Sequence, residues 1–172
     1  MAVDEQESVA SHSRLWYAAM EASLELARAD IGFSAAHFSI HQGRSERLHG
    51  HNYRVSLRAR GTVDEEGTVV DFSALKGALR DLCAELDERM LVPTRSPHVR
   101  VEESADGISL IEGSRRFLIP RGDAVLLALV NTTCECLAGH LLGALRGRLG
   151  STGYRLEVRV EEIPGQGASV SE

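Results

Sequence analysis

From residue 51 to residue 59 the chain alternates without a break. Tyr53, Val55, Leu57 and Ala59 share one face, and Asn52, Arg54, Ser56 and Arg58 share the other. Successive side chains of an extended chain point to opposite faces, so this period of two predicts a half-buried strand and a sheet with one covered face. Gly61 is expected to end it. Asp64-Glu65-Glu66-Gly67 predicts a turn and 68–70 a short partner strand, which together would make a hairpin. The alternation returns over 154–161, where Tyr154, Leu156, Val158 and Val160 oppose Arg155, Glu157, Arg159 and Glu161. This second strand reads as the last regular element.

Helical spacing takes over between these strands. Ser73 reads as an N-cap for a helix to about residue 89, with Leu75, Leu79, Leu82 and Leu86 on one side. Pro93 and Pro97 stop any continuation. Short strands are predicted near 99–103, 108–112 and 116–119, the last followed by a break at Pro120-Arg121-Gly122-Asp123. A second helix is predicted from about 133 to 149, turning Leu137, Leu141, Leu142 and Leu145 inward. Residues 31–38 read as a strand leading into the turn-rich 41–45. Over 14–28 an alanine-rich composition favours a helix while the apolar pattern also permits a strand, and both remain open. The order of elements predicts an α+β fold, an antiparallel sheet carrying two helices on one face.

The chain has 172 residues, enough for a single core without covalent staples. Residues 1–13, acidic and polar, read as a mobile tail, leaving one domain over 14–172. A net charge of −6 argues against a nucleic-acid partner, and no apolar run is long enough to cross a bilayer. Cys83, Cys134 and Cys136 are an odd set with no secretory signal, which predicts reduced thiols and a cytoplasmic location.

The chemistry concentrates at the mouth of the alternating strand. His49 and His51 flank Gly50, and side chains two apart on a strand share a face, so both imidazoles can meet one cation. Gly50 keeps the opposite face small and admits another backbone. His37 closes the preceding strand and brings a third imidazole if the two strands lie side by side. Three neutral imidazoles suit zinc with one coordination position left for water or substrate. His41, His98 and His140 have no such context and read as surface or packing residues.

Five ordered motifs resemble the 6-pyruvoyl-tetrahydropterin synthase family. They are Phe33-Ser34-Ala35-Ala36-His37, Leu48-His49-Gly50-His51-Asn52-Tyr53, Val69-Val70-Asp71-Phe72, Asn131-Thr132-Thr133-Cys134-Glu135 and Val158-Arg159-Val160-Glu161-Glu162. Leu86-Asp87 is similar to part of a further leucine–aspartate–histidine motif. The family includes 6-carboxytetrahydropterin synthase of the queuosine pathway. The resemblance implies a tunnelling fold, in which subunits pool their sheets into a barrel, as a hexamer or similar homo-oligomer with interfacial active sites. It implies zinc on His37, His49 and His51, and a small-molecule pterin substrate. Glu162 would anchor the amino-pyrimidine edge, since a carboxylate accepts two parallel N–H bonds, with Thr133 and Glu135 beside it.

Two positions depart from the family pattern. Ser45 stands where the synthases carry a proton-transferring cysteine, four residues before His49, and Asp87-Glu88 replaces an aspartate–histidine pair. Glu46, three residues before His49, is the expected substitute base, with Asp87 and Glu88 as further proton carriers. Arg44, Arg47 or Arg54 would meet a triphosphate. The resemblance thus implies a zinc-dependent lyase acting on the side chain of 7,8-dihydroneopterin or its triphosphate, giving a 6-carboxy- or 6-pyruvoyl-tetrahydropterin. The alternatives are a dihydroneopterin aldolase-like cleavage to 6-hydroxymethyl-dihydropterin, which some members with a glutamate in place of the cysteine perform, and a non-catalytic pterin-binding paralogue.

Overall fold

The computed structural model describes residues 20–150 and 153–172. The tail expected over 1–13 lies outside the described residues, as does the 14–19 part of the segment left open between helix and strand. The remainder of that segment is strand β1 (Glu21–Leu26), antiparallel to the end of the long alternating strand. That long strand, β5 (His49–Thr62), runs one residue past Gly61. Its odd-numbered side chains from Tyr53 to Ala59 are buried, as the period of two requires.

Before β5 come β2 (Gly32–His37) and a tight hairpin, β3 (Ile40–His41) and β4 (Arg44–Ser45). Gln42 and Gly43 at its tip both have positive φ, 49° and 76°, the conformation a two-residue primed turn needs. Residues 68–70 form no strand. Instead the Asp64 carboxylate accepts from the backbone N–H groups of Glu66 and Thr68 and from the Thr68 hydroxyl, closing a compact loop.

Helix α1 (Phe72–Leu86) is capped by Asp71 rather than Ser73. The Asp71 carboxylate accepts from the Ser73 N–H at 2.8 Å. The helix also ends earlier than its pattern suggests, because strand β2 captures the chain. Asp87 accepts from the Ser34 N–H at 2.7 Å, and Glu88, at φ 55°, donates its N–H to the Ser34 carbonyl at 2.7 Å. The chain then enters a strand the sequence reading missed, β6 (Arg89–Pro93). Next come β7 (Arg100–Ser104), β8 (Gly107–Glu112) and β9 (Arg115–Ile119), then β10 (Ala124–Leu127), also unforeseen. Helix α2 (Cys134–Leu149) begins at its Thr133 cap. Strand β11 (Tyr154–Ile163) is not the last element: β12 (Gln166–Ser171) folds back on it.

The main sheet runs β10-β6-β2-β5-β11-β12, with β1 added to β5. It is antiparallel except where β6 pairs in parallel with β2 and β10. Both helices cover one face. Leu75, Leu79, Leu82 and Leu86 of α1 and Leu137, Leu141, Leu142 and Leu145 of α2 pack on Tyr53, Val55, Leu57, Leu156, Val158 and Val160. Each fully buried leucine contributes about 1.5–3 kcal/mol by leaving water. The other face is covered at the β6 end by the separate sheet β7-β8-β9, through Phe38, Met90, Val92, Val99, Ile108 and Leu110. Among the described residues no helix is long and apolar enough to cross a membrane.

Candidate metal centre

Antiparallel pairing sets His37 directly opposite His49, and Ala35 opposite His51. The odd residues of both strands face the helices, so His37, His49 and His51 lie on one face at the end of the sheet. Their ring centroids are 4.6, 5.2 and 4.9 Å apart, and one ring nitrogen of each falls within 4.8 Å of the other two. Gly50 permits this closeness: a Cβ there would stand 3.1 Å from the Ala35 carbonyl oxygen.

The hydrogen bonds around the rings fit a divalent metal. His37 is buried, its Nδ1 is 3.0 Å from the Thr132 carbonyl, and its Nε2 has no partner among the described residues. A carbonyl can only accept, so Nδ1 carries the proton and Nε2 presents a lone pair to the cluster. His49 repeats the device, Nδ1 lying 2.7 Å from the Arg47 carbonyl. Burial, followed by the neighbouring imidazoles, pushes the His37 pKa down, which keeps the ring neutral as ligation demands. The supporting carbonyl is itself fixed. Thr132 is fully buried, its hydroxyl donates to Phe38 O at 2.9 Å, and the Asn131 side chain binds both the N–H and C=O of Ile40 at 2.9 Å. Asn131 and Thr132 stand in one of the family motifs, but this supporting part arises only from contact between segments far apart in sequence.

Glu162 reaches the same face. It continues the face of Val158 and Val160 along β11, at a register shift between Glu161 and Ile163 in the pairing with β12. Its carboxylate lies 3.8 Å from His51 Nε2 and also accepts from Gln166. Tyr53, two residues beyond His51, is 2% exposed and stacks on Phe33 with centroids 4.7 Å apart. Its hydroxyl has no partner among the described residues, and burial, then the charges of Cys134 and Glu162, raise its pKa strongly. Tyr53→Phe is expected to leave the ligand-free protein at least as stable as the parent, because a buried unpaired hydroxyl costs about 1–3 kcal/mol. A lower melting temperature in thermal denaturation would show that the hydroxyl has a partner.

The other site residues from the sequence fall in different places. Thr133 serves as the α2 cap, accepting from the Cys136 N–H at 3.4 Å, and Glu135 is exposed in the first helical turn. Glu46 is exposed in the loop before His49. Asp87 and Glu88 are not brought to the histidines within one chain. Glu88 lines a cleft of about 540 Å³ on the opposite face of the sheet, with Ser34, Ala36, Gly50 and Leu118. Arg54 also projects from that opposite face, into a smaller cleft with Arg28, Arg159 and Glu161. Ser45 is engaged elsewhere: its hydroxyl donates to Glu112. Among the cysteines, burial and then the Glu162 charge push the Cys134 thiol up to about 11, and burial pushes Cys83 up to about 12. Both are protonated thiols near neutral pH, poor nucleophiles and poor bases.

The fold and cluster define a class: a sheet backed by two helices, with a three-histidine cluster able to hold a metal at one end. Residues 26–172 match the profile described as 6-pyruvoyl tetrahydropterin synthase. The chain is 30% identical over 145 residues to a putative 6-carboxy-5,6,7,8-tetrahydropterin synthase of Methanocaldococcus jannaschii, covering 81% of this chain and 89% of that one. Its structure superposes on 6-pyruvoyl tetrahydropterin synthase of Plasmodium vivax with a TM-score of 0.84 and 31% identity, covering 89% of this chain and 98% of that one. The Plasmodium falciparum protein of the same name gives a TM-score of 0.83 at 31% identity, covering 88% and 98%. The P. vivax protein has also been solved with a catalytic glutamate replaced by alanine and by cysteine. This chain belongs to the 6-pyruvoyl tetrahydropterin synthase family. It is a divergent member, lacking the usual cysteine, and it has the family's α+β tunnelling-fold subunit.

Proposed function

We propose that this chain is a zinc-dependent lyase acting on the side chain of 7,8-dihydroneopterin or its triphosphate. The observation that carries this reading is the convergence of His37, His49 and His51 with the Glu162 carboxylate on one face of the sheet. The three imidazoles would hold the ion, which when bound supplies Lewis-acid polarisation of a substrate oxygen. Glu162, beside His51, accepts paired N–H bonds from the amino-pyrimidine edge and so fixes the ring with its side chain toward the histidines. Glu46 takes the proton released from the side chain, since Ser45 is committed to Glu112 and both thiols near the core are held protonated.

Asp87 and Glu88 support a homo-oligomeric site, a hexamer or similar. Neither joins the histidine cluster, and Glu88 lines the cleft on the opposite face of the sheet, rimmed by exposed Leu48 and Leu118, at 42% and 63%. Exposed apolar residues around a carboxylate-bearing cleft suit a neighbouring subunit, whose site these carboxylates would complete.

The archaeal relatives named 6-carboxy-5,6,7,8-tetrahydropterin synthases favour a carboxy- or pyruvoyl-pterin product. A second reading, aldolase-like cleavage to 6-hydroxymethyl-dihydropterin, is favoured by the catalytic glutamate named for the P. vivax protein and by Glu46 here. Incubation of the zinc-loaded protein with dihydroneopterin and with its triphosphate, followed by mass spectrometry, separates the products. One converted species is expected. Tight pterin binding with no conversion would mark a non-catalytic binding protein.

A further inference from the structure

Among the described residues the small sheet β7-β8-β9 makes no strand pairing with the main sheet, yet its β8–β9 turn reaches the segment just before His49. Glu112 accepts from the Ser45 N–H at 2.7 Å and from the Ser45 hydroxyl. The Arg115 guanidinium donates to the carbonyls of Ser45 and Glu46, both at 3.0 Å, and to Glu112 at 3.1 Å. The Glu46 N–H donates to the Ser39 carbonyl at 2.9 Å. All four backbone polar groups of residues 45 and 46 therefore have protein partners, although surface loops usually leave such groups to water. The Glu46 carboxylate alone in this segment has no hydrogen bond or ion pair among the described residues. The turn is also braced toward the metal site: Arg115 lies over the Phe117 ring at 5.4 Å, and Phe117 stacks at 6.1 Å on Phe38, the neighbour of His37.

We propose that Glu112 and Arg115 are positioning residues that fix the backbone at 45–46 and so set where the Glu46 carboxylate stands relative to the three histidines. This inference rests on the reading of Glu46 as the proton-transfer residue. It also gives Ser45 a function. A hydroxyl is a better hydrogen-bond donor than a thiol, so serine ties this position into the clamp and the next residue presents the acid–base group.

The test is a double-mutant cycle on the zinc-loaded, full-length protein, using whichever dihydroneopterin form the parent converts. Arg115→Met is expected to lower kcat about tenfold or more with KM within about twofold, since loss of orientation acts on the reacting geometry. Bound zinc and melting temperature should stay near the parent's. In a Glu46→Gln background the same change should have no further effect, because the group it positions is gone. Arg115→Met slowing the Glu46→Gln protein by the same factor, or leaving the parent's kcat intact, would overturn the proposal while sparing Glu46. Full turnover by Glu46→Gln alone, or no turnover by the parent, would remove the reading beneath it and the proposal together. Should Arg115→Met lose its fold, Ser45→Ala takes its place. It cuts only the hydroxyl tie, and a drop of roughly threefold is expected that again vanishes without the Glu46 carboxylate. An undiminished kcat for Ser45→Ala, or an equal drop in the Glu46→Gln background, counts against the clamp.

Discussion

His49→Ala is expected to abolish stoichiometric zinc binding and, with it, measurable turnover. His49 sits directly across from His37 and its Nδ1 is held by the Arg47 carbonyl at 2.7 Å, so its Nε2 is committed to the cluster before any ion arrives. Loss of a group that merely supports a ligand commonly costs about 10–100-fold in metal affinity, and loss of one of three ligands costs more. The fold should survive, because His49 is exposed and the neighbouring core of Tyr53, Val55 and Leu57 is untouched. Elemental analysis of the purified variant, with circular dichroism as the check on folding, reads the result directly. A full equivalent of zinc in folded His49→Ala would remove this residue from the ligand set.

The second large effect falls on Glu46. Glu46→Gln keeps the shape of the side chain and removes its capacity to take a proton, so turnover is expected to fall at least about tenfold, within the usual range for a general base. Zinc content should not change, since the glutamate is not among the three clustered ligands. Steady-state kinetics alongside metal analysis checks both halves. Unchanged turnover would take Glu46 out of the chemistry and turn attention to Asp87 and Glu88 of a neighbouring subunit. The P. vivax relative also has a glutamate as a catalytic residue.

How well the sequence announced each strand depended on what covers it. Strands β5 and β11 carry one buried and one wet face, so alternation marks them plainly. Strand β6 lies between helix α1 on one side and the small sheet on the other, and four of its five residues are buried. A strand covered on both faces loses its alternation and reads as a short apolar run, which after a leucine-rich helix looks like more helix. Strand β10, its parallel neighbour, was hidden for the same reason. Strand β12 has mostly exposed residues and owes its place to β11 rather than to any pattern of its own.

The sequence by itself determined the three histidines, because spacing of two on an alternating strand settles their face and the family motifs supply the third. It also determined the faces of both helices, which the 3.6-residue period dictates. Only the tertiary structure decided how the site is finished: the Thr132 carbonyl behind His37, the pairing of β11 with β5 that brings Glu162 beside His51, and the grip of Glu112 and Arg115 on residues 45 and 46. It alone placed Glu88 on the face of the sheet opposite the histidines. Each of these is a contact between segments distant along the chain. Local periodicity carries no record of such partners, whereas hydrogen bonding in a buried site leaves few other arrangements.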